Sequence, residues 1–140
     1  MKIYLASSWK NASLVQALAS YIRMNRHEVD DFTDNSNDRF VFSFNQLPNI
    51  EEQTAKTVLE FPEVQRAFSE DKKWLDWSDV VIMVLPCGKS AHLEAGYAKG
   101  NGKKLIIYSF TEFPKGEFDV MYGFADLITD DIEEIVEFLN

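Results

Sequence analysis

Apolar and polar positions alternate along this chain in two rhythms. Short runs rich in apolar and β-branched residues stand at KIYLAS (2–7), HEVDDF (27–32), DVVIMVLP (79–86), KLIIYSF (104–110) and ADLIT (125–129). Runs of that length, bounded by small or polar residues, predict strands. DVVIMVLP has no polar alternation, which is the pattern of a strand buried on both faces of a parallel sheet. Between the runs the apolar spacing widens to three and four. Leu14, Val15, Leu18, Tyr21 and Ile22 mark a helix from Asn11 to about Asn25, with Asn11 available as its N-cap. Pro62 suits the first turn of a helix over 62–78. A further helix covers about Ala91–Lys99 and ends in KGNGKK, and DDIEEIVEFLN closes the chain as a helix with acidic residues at its start. The segment TDNSNDRFVFSFNQLPN (33–49) is polar, then aromatic, and has no period; so long a loop in a compact domain is usually functional or mobile.

Strands alternating with helices predict an α/β, doubly wound (flavodoxin-like or Rossmann-like), mostly parallel five-stranded sheet with helices on both faces. No repeat or linker divides the chain, so residues 1–140 read as one domain. In such sheets ligands bind beyond the carboxyl ends of the strands. Those ends are Ser7–Asn11, Asp31–Asn35, Pro86–Ser90 and Ser109–Phe113.

Composition narrows the function. A formal charge of −9 argues against a general nucleic-acid binder, which needs clustered Lys and Arg for the phosphate backbone. No apolar run reaches the roughly 18 residues of a membrane span, and the start of the chain reads as a strand rather than a signal peptide. Cys87 is the only cysteine, so neither a disulfide framework nor a Cys-based zinc site is expected. His92 has no partner at metal-ligand spacing, and a surface position is expected for it. A cytoplasmic protein with a small-molecule ligand and no cofactor or metal fits these features.

VLPCGKSAHLEAGYAKG (84–100) has the outline of a phosphate loop. A Walker loop requires a glycine five residues before the Gly88-Lys89 pair, and that position is Met83, inside the strand. The triphosphate reading fails, although a helix N-terminus near Ser90 can still hold one anionic group.

Two carboxylates stand in unusual places. On the 62–78 helix, Val64, Phe68, Leu75 and Ser78 cluster within about 40° of one direction, with Ala67 and Trp74 at one margin. Asp71 falls in the middle of that stripe. A buried carboxylate needs a partner or a proton, so Asp71 is either a structural cap or pair, or a group facing a ligand. Glu94 is flanked on its helix by Ala91 and Ala98 on one side and Ser90 and Tyr97 on the other, with Gly96 nearby. Small neighbours leave room for a substrate, or simply allow close helix–sheet packing. Paired carboxylates suit glycosidic chemistry, in which one attacks or stabilises the sugar cation and the other handles the leaving group's proton.

Four patches resemble the nucleoside 2-deoxyribosyltransferases and their relatives, the 2'-deoxynucleoside 5'-monophosphate N-glycosidases: KIYLASS, DKKWLDWSDVVI, HLEAGYAKGNGK and DVMYGFAD. The resemblance implies that Glu94 is the nucleophile, Asp71 the group that protonates or orients the base, and Tyr4 the hydroxyl that steadies the nucleophile. It implies a glycosyl–Glu94 intermediate, released to a second base (transfer) or to water (hydrolysis). It also implies a homodimer or higher homo-oligomer in which DVMYGFAD, with Asp119 and Met121, reaches the neighbour's site. Two positions depart from the family. Gly88 stands where the transferases carry a base-contacting Asp and the monophosphate hydrolases a phosphate-contacting Ser. Asp119 stands where the family has Asn or Ser at the sugar's 5' end; a carboxylate accepts a hydrogen bond from a 5'-hydroxyl but repels a phosphate. Lys89 and the Ser90 helix end favour a phosphate.

Other residues read two ways. Ser7, Ser8 and Asn11 can meet a ligand or start a helix. Trp9 can stack on a base or pack. Trp77, on the polar side of its helix, suggests a subunit interface or a crossing loop. FVFSF either covers the base or forms an extra edge strand. Cys87 lies near a helix N-terminus, where a thiolate is stabilised, but no general base is evident beside it. The leading function is therefore deoxyribosyl transfer between bases. The alternatives are a hydrolase of a nucleoside monophosphate or NAD-like nucleotide, and a non-catalytic nucleotide-sensing module, which retention of Tyr4, Asp71 and Glu94 disfavours.

Overall fold

In the computed structural model, which describes residues 1–140 apart from the side chain of Asn37, the five strands are β1 (Lys2–Ala6), β2 (Glu28–Asp30), β3 (Val80–Leu85), β4 (Lys104–Ser109) and β5 (Leu127–Thr129). The helices are α1 (Ala12–Met24), α2 (Ala55–Val58), α3 (Pro62–Trp77), α4 (Lys89–Gly100) and α5 (Ile132–Leu139). The strands form one all-parallel sheet in the order β2-β1-β3-β4-β5. This is the doubly wound α/β class that the sequence pattern predicts.

Strand pleating sorts the core. Ile3, Leu5, Val80, Ile82, Val84, Ile106 and Tyr108 face one side and pack with Val15, Leu18 and Ile22 of α1 and Ile135 and Leu139 of α5. The alternate residues Tyr4, Ala6, Val81, Met83, Leu105 and Ile107 face the other side, against Leu75 of α3 and Ala91, Ala95 and Ala98 of α4. Successive strand residues point to opposite faces, so a two-faced core requires the unbroken apolar run of β3. The alanines bring α4 close to the sheet.

The order reverses between β1 and β3, and the chain leaves these two neighbours toward helices on opposite faces, which opens a crevice at their carboxyl ends. Polar side chains tie its rim. Ser7 Oγ donates to Val84 O at 2.9 Å, while Asn11 Nδ2 donates to Ser7 Oγ at 3.0 Å and to Pro86 O at 2.7 Å.

Some predicted boundaries move. Asn11 holds the N-cap position of α1 without a side-chain cap bond, because its amide is committed across the crevice. α4 begins at Lys89 rather than Ala91, since extended Gly88 takes the cap position. β5 begins at Leu127 because Asp126 instead accepts from Leu105 N and Lys99. FVFSF is not an edge strand. The loop runs through short 3-10 turns at Ser36–Asp38, Phe44–Gln46 and Ile50–Glu52, and its aromatic rings pack on one another. Phe68 is 64% exposed. The buried face of α3 is centred nearer Ala67 and Trp74, which leaves Phe68 beyond its edge.

Candidate active site

Tyr4 is buried in the middle of β1, in register with Asp30 of β2 and Val81 of β3. Its ring lies under α4, and its hydroxyl donates to Glu94 Oε2. The strand fixes the tyrosine and the helix fixes the carboxylate, so the bond joins two rigid elements.

Burial is the main influence on Glu94. It pushes the carboxyl up to about 8, against the lowering effect of the Tyr4 hydrogen bond. The charge of Asp71 adds to the rise, Arg39 opposes it and Asp30 adds again, so all three act on Glu94. Tyr4 in turn is raised well above its ordinary value by burial and by the Glu94 charge. It remains a hydrogen-bond donor.

Asp71, on α3, is half-buried, with 43% of its side chain exposed. Its Oδ1 accepts from Arg39 Nη2 at 2.9 Å. The Arg39 side chain is only 4% exposed. Its Nε and Nη2 donate to the two oxygens of Asp30 at 3.0 and 3.2 Å, and Nη1 donates to Phe40 O at 3.1 Å. A guanidinium does not lose its proton in a protein; burial works against its charge, and the Asp30 and Asp71 contacts overcome that cost. Burial raises both Asp30 and Asp71 from the ordinary aspartate value, and Arg39 opposes the rise in each. One cation thus sits between two carboxylates, with Glu94 as a third acid close by.

The sequence reading brings Tyr4, Asp71 and Glu94 forward, and all three lie on the same face of the sheet. It misses Arg39 and Asp30. A signal exists: an arginine that opens the uncharged aromatic stretch 40–49, downstream of two aspartates at a strand end, is a candidate for burial with a carboxylate partner.

The remaining candidates divide between the crevice rim and the surface. Ser7 links β1 to β3 as described, and Ser8 Oγ caps the short turn at Trp9–Asn11 by accepting from Lys10 N. Trp9 packs edge-on against Phe32 and stays 41% exposed. Gly88, Lys89 and Ser90 are exposed at the start of α4, whose cap residue supplies no side-chain hydrogen bond. Asp119 and Met121 are exposed, and Asp119 Oδ1 accepts from Met121 N at 2.8 Å. Trp77 packs edge-on against Trp74 and lies near Lys2.

His92 is half-buried at the surface of α4 and stacked on Tyr122. Its Nδ1 lies 2.7 Å from Gly88 O. A carbonyl only accepts, so Nδ1 carries the proton and Nε2 accepts from Tyr122 OH at 3.0 Å. Nδ1 therefore cannot act as a base toward Cys87 Sγ, 3.8 Å away. Nor is the Cys87 thiolate stabilised by the helix end; burial pushes the thiol up to about 11, and the Glu94 charge adds to the rise.

The fold and this arrangement define an α/β protein with a tyrosine-supported, half-buried carboxylate at the switch point of a parallel sheet. No protein-family model matches the chain, and no curated protein matches it in sequence. Among solved structures it is similar to the 2-deoxyribosyltransferase of the psychrotolerant bacterium Bacillus psychrosaccharolyticus. That match has a TM-score of 0.67 and 19% identity, over 97% of this chain and 90% of the other. It is also similar to the Clostridium botulinum CMP N-glycosidase BcmB, with a TM-score of 0.57 and 16% identity, over 99% of this chain and 97% of the other. The chain therefore has a deoxyribosyltransferase- and N-glycosidase-like fold. Among the described residues no helix is long and apolar enough to cross a membrane.

Proposed function

We propose that this protein cleaves the N-glycosidic bond of a 2'-deoxynucleoside and transfers the sugar to another base through an ester on Glu94. The observation that carries the reading is the part-buried Tyr4–Glu94 hydrogen bond with the Arg39-bound Asp71 beside it. A glutamate oxygen attacks the anomeric carbon as the bond to the base nitrogen breaks. The base leaves with the electron pair and takes up a proton, with Asp71 as the carboxyl that protonates or orients it. Tyr4 holds the attacking carboxylate in one orientation through its hydroxyl. In the second half-reaction another base attacks the same carbon and Glu94 leaves. Burial that raises Glu94 also makes its anion more reactive once a substrate excludes water.

A hydrolase of a nucleoside monophosphate or NAD-like nucleotide is the second reading. The open start of α4, with Lys89 exposed and no side chain capping it, favours a phosphate there. Asp119, with its negative charge, favours a free 5'-hydroxyl.

Assembly belongs to the same reading. Phe118, Val120 and Met121 are 81%, 88% and 56% exposed, and Leu93 on α4 is 75% exposed. The His92–Tyr122 stack holds their segment against α4. A second copy of the chain covers these side chains and brings Asp119 and Met121 toward its neighbour's crevice.

Incubating the protein with a deoxynucleoside, with and without a second free base, tests the reading by chromatography. Base exchange that is lost in Glu94→Ala supports transfer. Free sugar without exchange supports hydrolysis. Silence with deoxynucleosides, monophosphates and NAD would leave a nucleotide-sensing module.

A further inference from the structure

We propose that Arg39 is the positioning residue of this site: tied to Asp30, it fixes the Asp71 carboxylate and anchors the aromatic segment 40–44 beside it. The inference rests on the reading of Asp71 as the carboxyl that faces the base. At 4% exposure, the Arg39 side chain has no surface to offer a substrate. It acts through what it holds.

Its donors reach four acceptors on three elements: both oxygens of Asp30 on β2, Oδ1 of Asp71 on α3, and the Phe40 carbonyl in the loop. Asp30 lies in register with Tyr4. The guanidinium therefore references Asp71 to the same sheet that carries the support of Glu94. Without that bond Asp71, with 43% of its side chain exposed, is free to change rotamer, and two neighbouring carboxylates repel each other without a cation between them. A lysine is a point charge and cannot span the three elements with a planar fork.

The same contact clamps the loop. Phe40 N donates to Glu70 Oε1 at 3.0 Å, and Trp74 Nε1 donates to the same oxygen at 3.0 Å. Arg66 lies over the Phe40 ring at 3.9 Å. Residues 39 and 40 are thereby fixed to α3 within one turn of Asp71, and the Phe40, Phe42 and Phe44 rings pack in series from that anchor. Arg39 thus places a carboxylate and an apolar wall together, as a planar base requires.

The decisive variant is Arg39→Gln combined with Asp30→Asn, which replaces the buried ion pair with neutral amides of similar shape and leaves no unpaired buried charge. Two readouts apply: kcat and KM for base exchange across pH, and the titration of the Asp71 carboxyl followed by carbon-detected NMR. The inference expects a folded double variant in which Asp71 titrates at higher pH and kcat falls about tenfold or more from misplacement. Arg39→Lys, keeping the charge but losing the fork, falls between wild type and the double variant. Wild-type kcat, pH profile and Asp71 titration in the double variant would overturn the inference. If the wild type performs no glycosidic chemistry, the proposed function fails, while the Asp71 titration still decides whether Arg39 governs Asp71.

Discussion

Tyr4 and Glu94, ninety positions apart in the chain, meet where the first strand passes beneath α4, and the tyrosine hydroxyl donates to the carboxylate. The bond favours the ionised form of a glutamate whose burial favours the protonated one. That balance governs the expected pH behaviour. In the proposed reaction Glu94 must be ionised to attack, and in the empty site it gains a proton below about 8. The acid limb of kcat/KM, which reports the free enzyme, is expected near that value. Tyr4→Phe removes the lowering contribution, so the limb moves to higher pH and the rate at neutral pH falls. A profile unchanged in Tyr4→Phe would separate the tyrosine from the nucleophile.

Stability follows the same group. Glu94 titrates at about 8 in the fold against an ordinary 4.5, so the folded state holds the proton more tightly than the unfolded state. Its contribution is present in full below pH 4.5 and is lost as pH rises to 8, a change on the order of 5 kcal/mol. Glu94→Gln has no such proton to lose. Urea unfolding is expected to find the variant close to wild type at pH 5 and more stable than it at pH 9. Parallel curves for the two proteins would contradict the assignment.

The Arg39–Asp30 pair predicts an asymmetric cost. Asp30→Ala leaves a buried guanidinium without its bidentate partner, and a loss of about 3–5 kcal/mol is expected. Replacing both members by neutral residues is expected to cost less than either single truncation. A double-mutant cycle in chemical denaturation measures both quantities.

Cys87 is expected to be chemically quiet. With its thiol pushed up to about 11, little thiolate exists at pH 7.5, and alkylation by iodoacetamide should be slower than for a free thiol. Cys87→Ala is expected to keep base exchange within about twofold, since no step uses the sulfur. Rapid alkylation coupled to loss of activity would reopen the question of a cysteine nucleophile.

The exposed apolar segment makes a prediction about assembly. Val120→Asp introduces a charge at a position 88% exposed in the single chain, so the isolated fold is expected to tolerate it within about 0.5 kcal/mol. Covered by a second copy, the same charge would be buried unpaired. Sedimentation should then show a smaller species for the variant than for the wild type, with base exchange reduced in parallel. Identical sedimentation would place the segment outside any interface.

Much of the sheet was legible because its signals are local. The unbroken run of β3 and the three-and-four spacing of α1 and α3 each follow from burial on a known face. Boundaries shifted where a side chain found a distant partner, as Asn11 did across the crevice and Asp126 did at β4. In the candidate site Asp71 and Glu94 are legible because a carboxylate breaks a pattern, and Tyr4 only through the family resemblance. Asp71 interrupts an apolar stripe, and Glu94 sits among small residues. Arg39 was not, because its burial depends on two carboxylates from different elements, and no spacing within residues 33–49 encodes that meeting. The His92–Tyr122 pairing is hidden for the same reason, since Tyr122 lies thirty positions away.

Whether Glu94 carries the sugar is decided by incubating the protein with a 2'-deoxy-2'-fluoroarabinosyl nucleoside, whose fluorine slows departure from a glycosyl ester, and measuring the mass of the tryptic peptide Ser90–Lys99. With Glu94 as the nucleophile, this peptide is expected to gain one fluorinated pentosyl unit on Glu94, and a second free base to remove it. Release of the base with no sugar on this peptide, or with the sugar on another residue, would contradict that role.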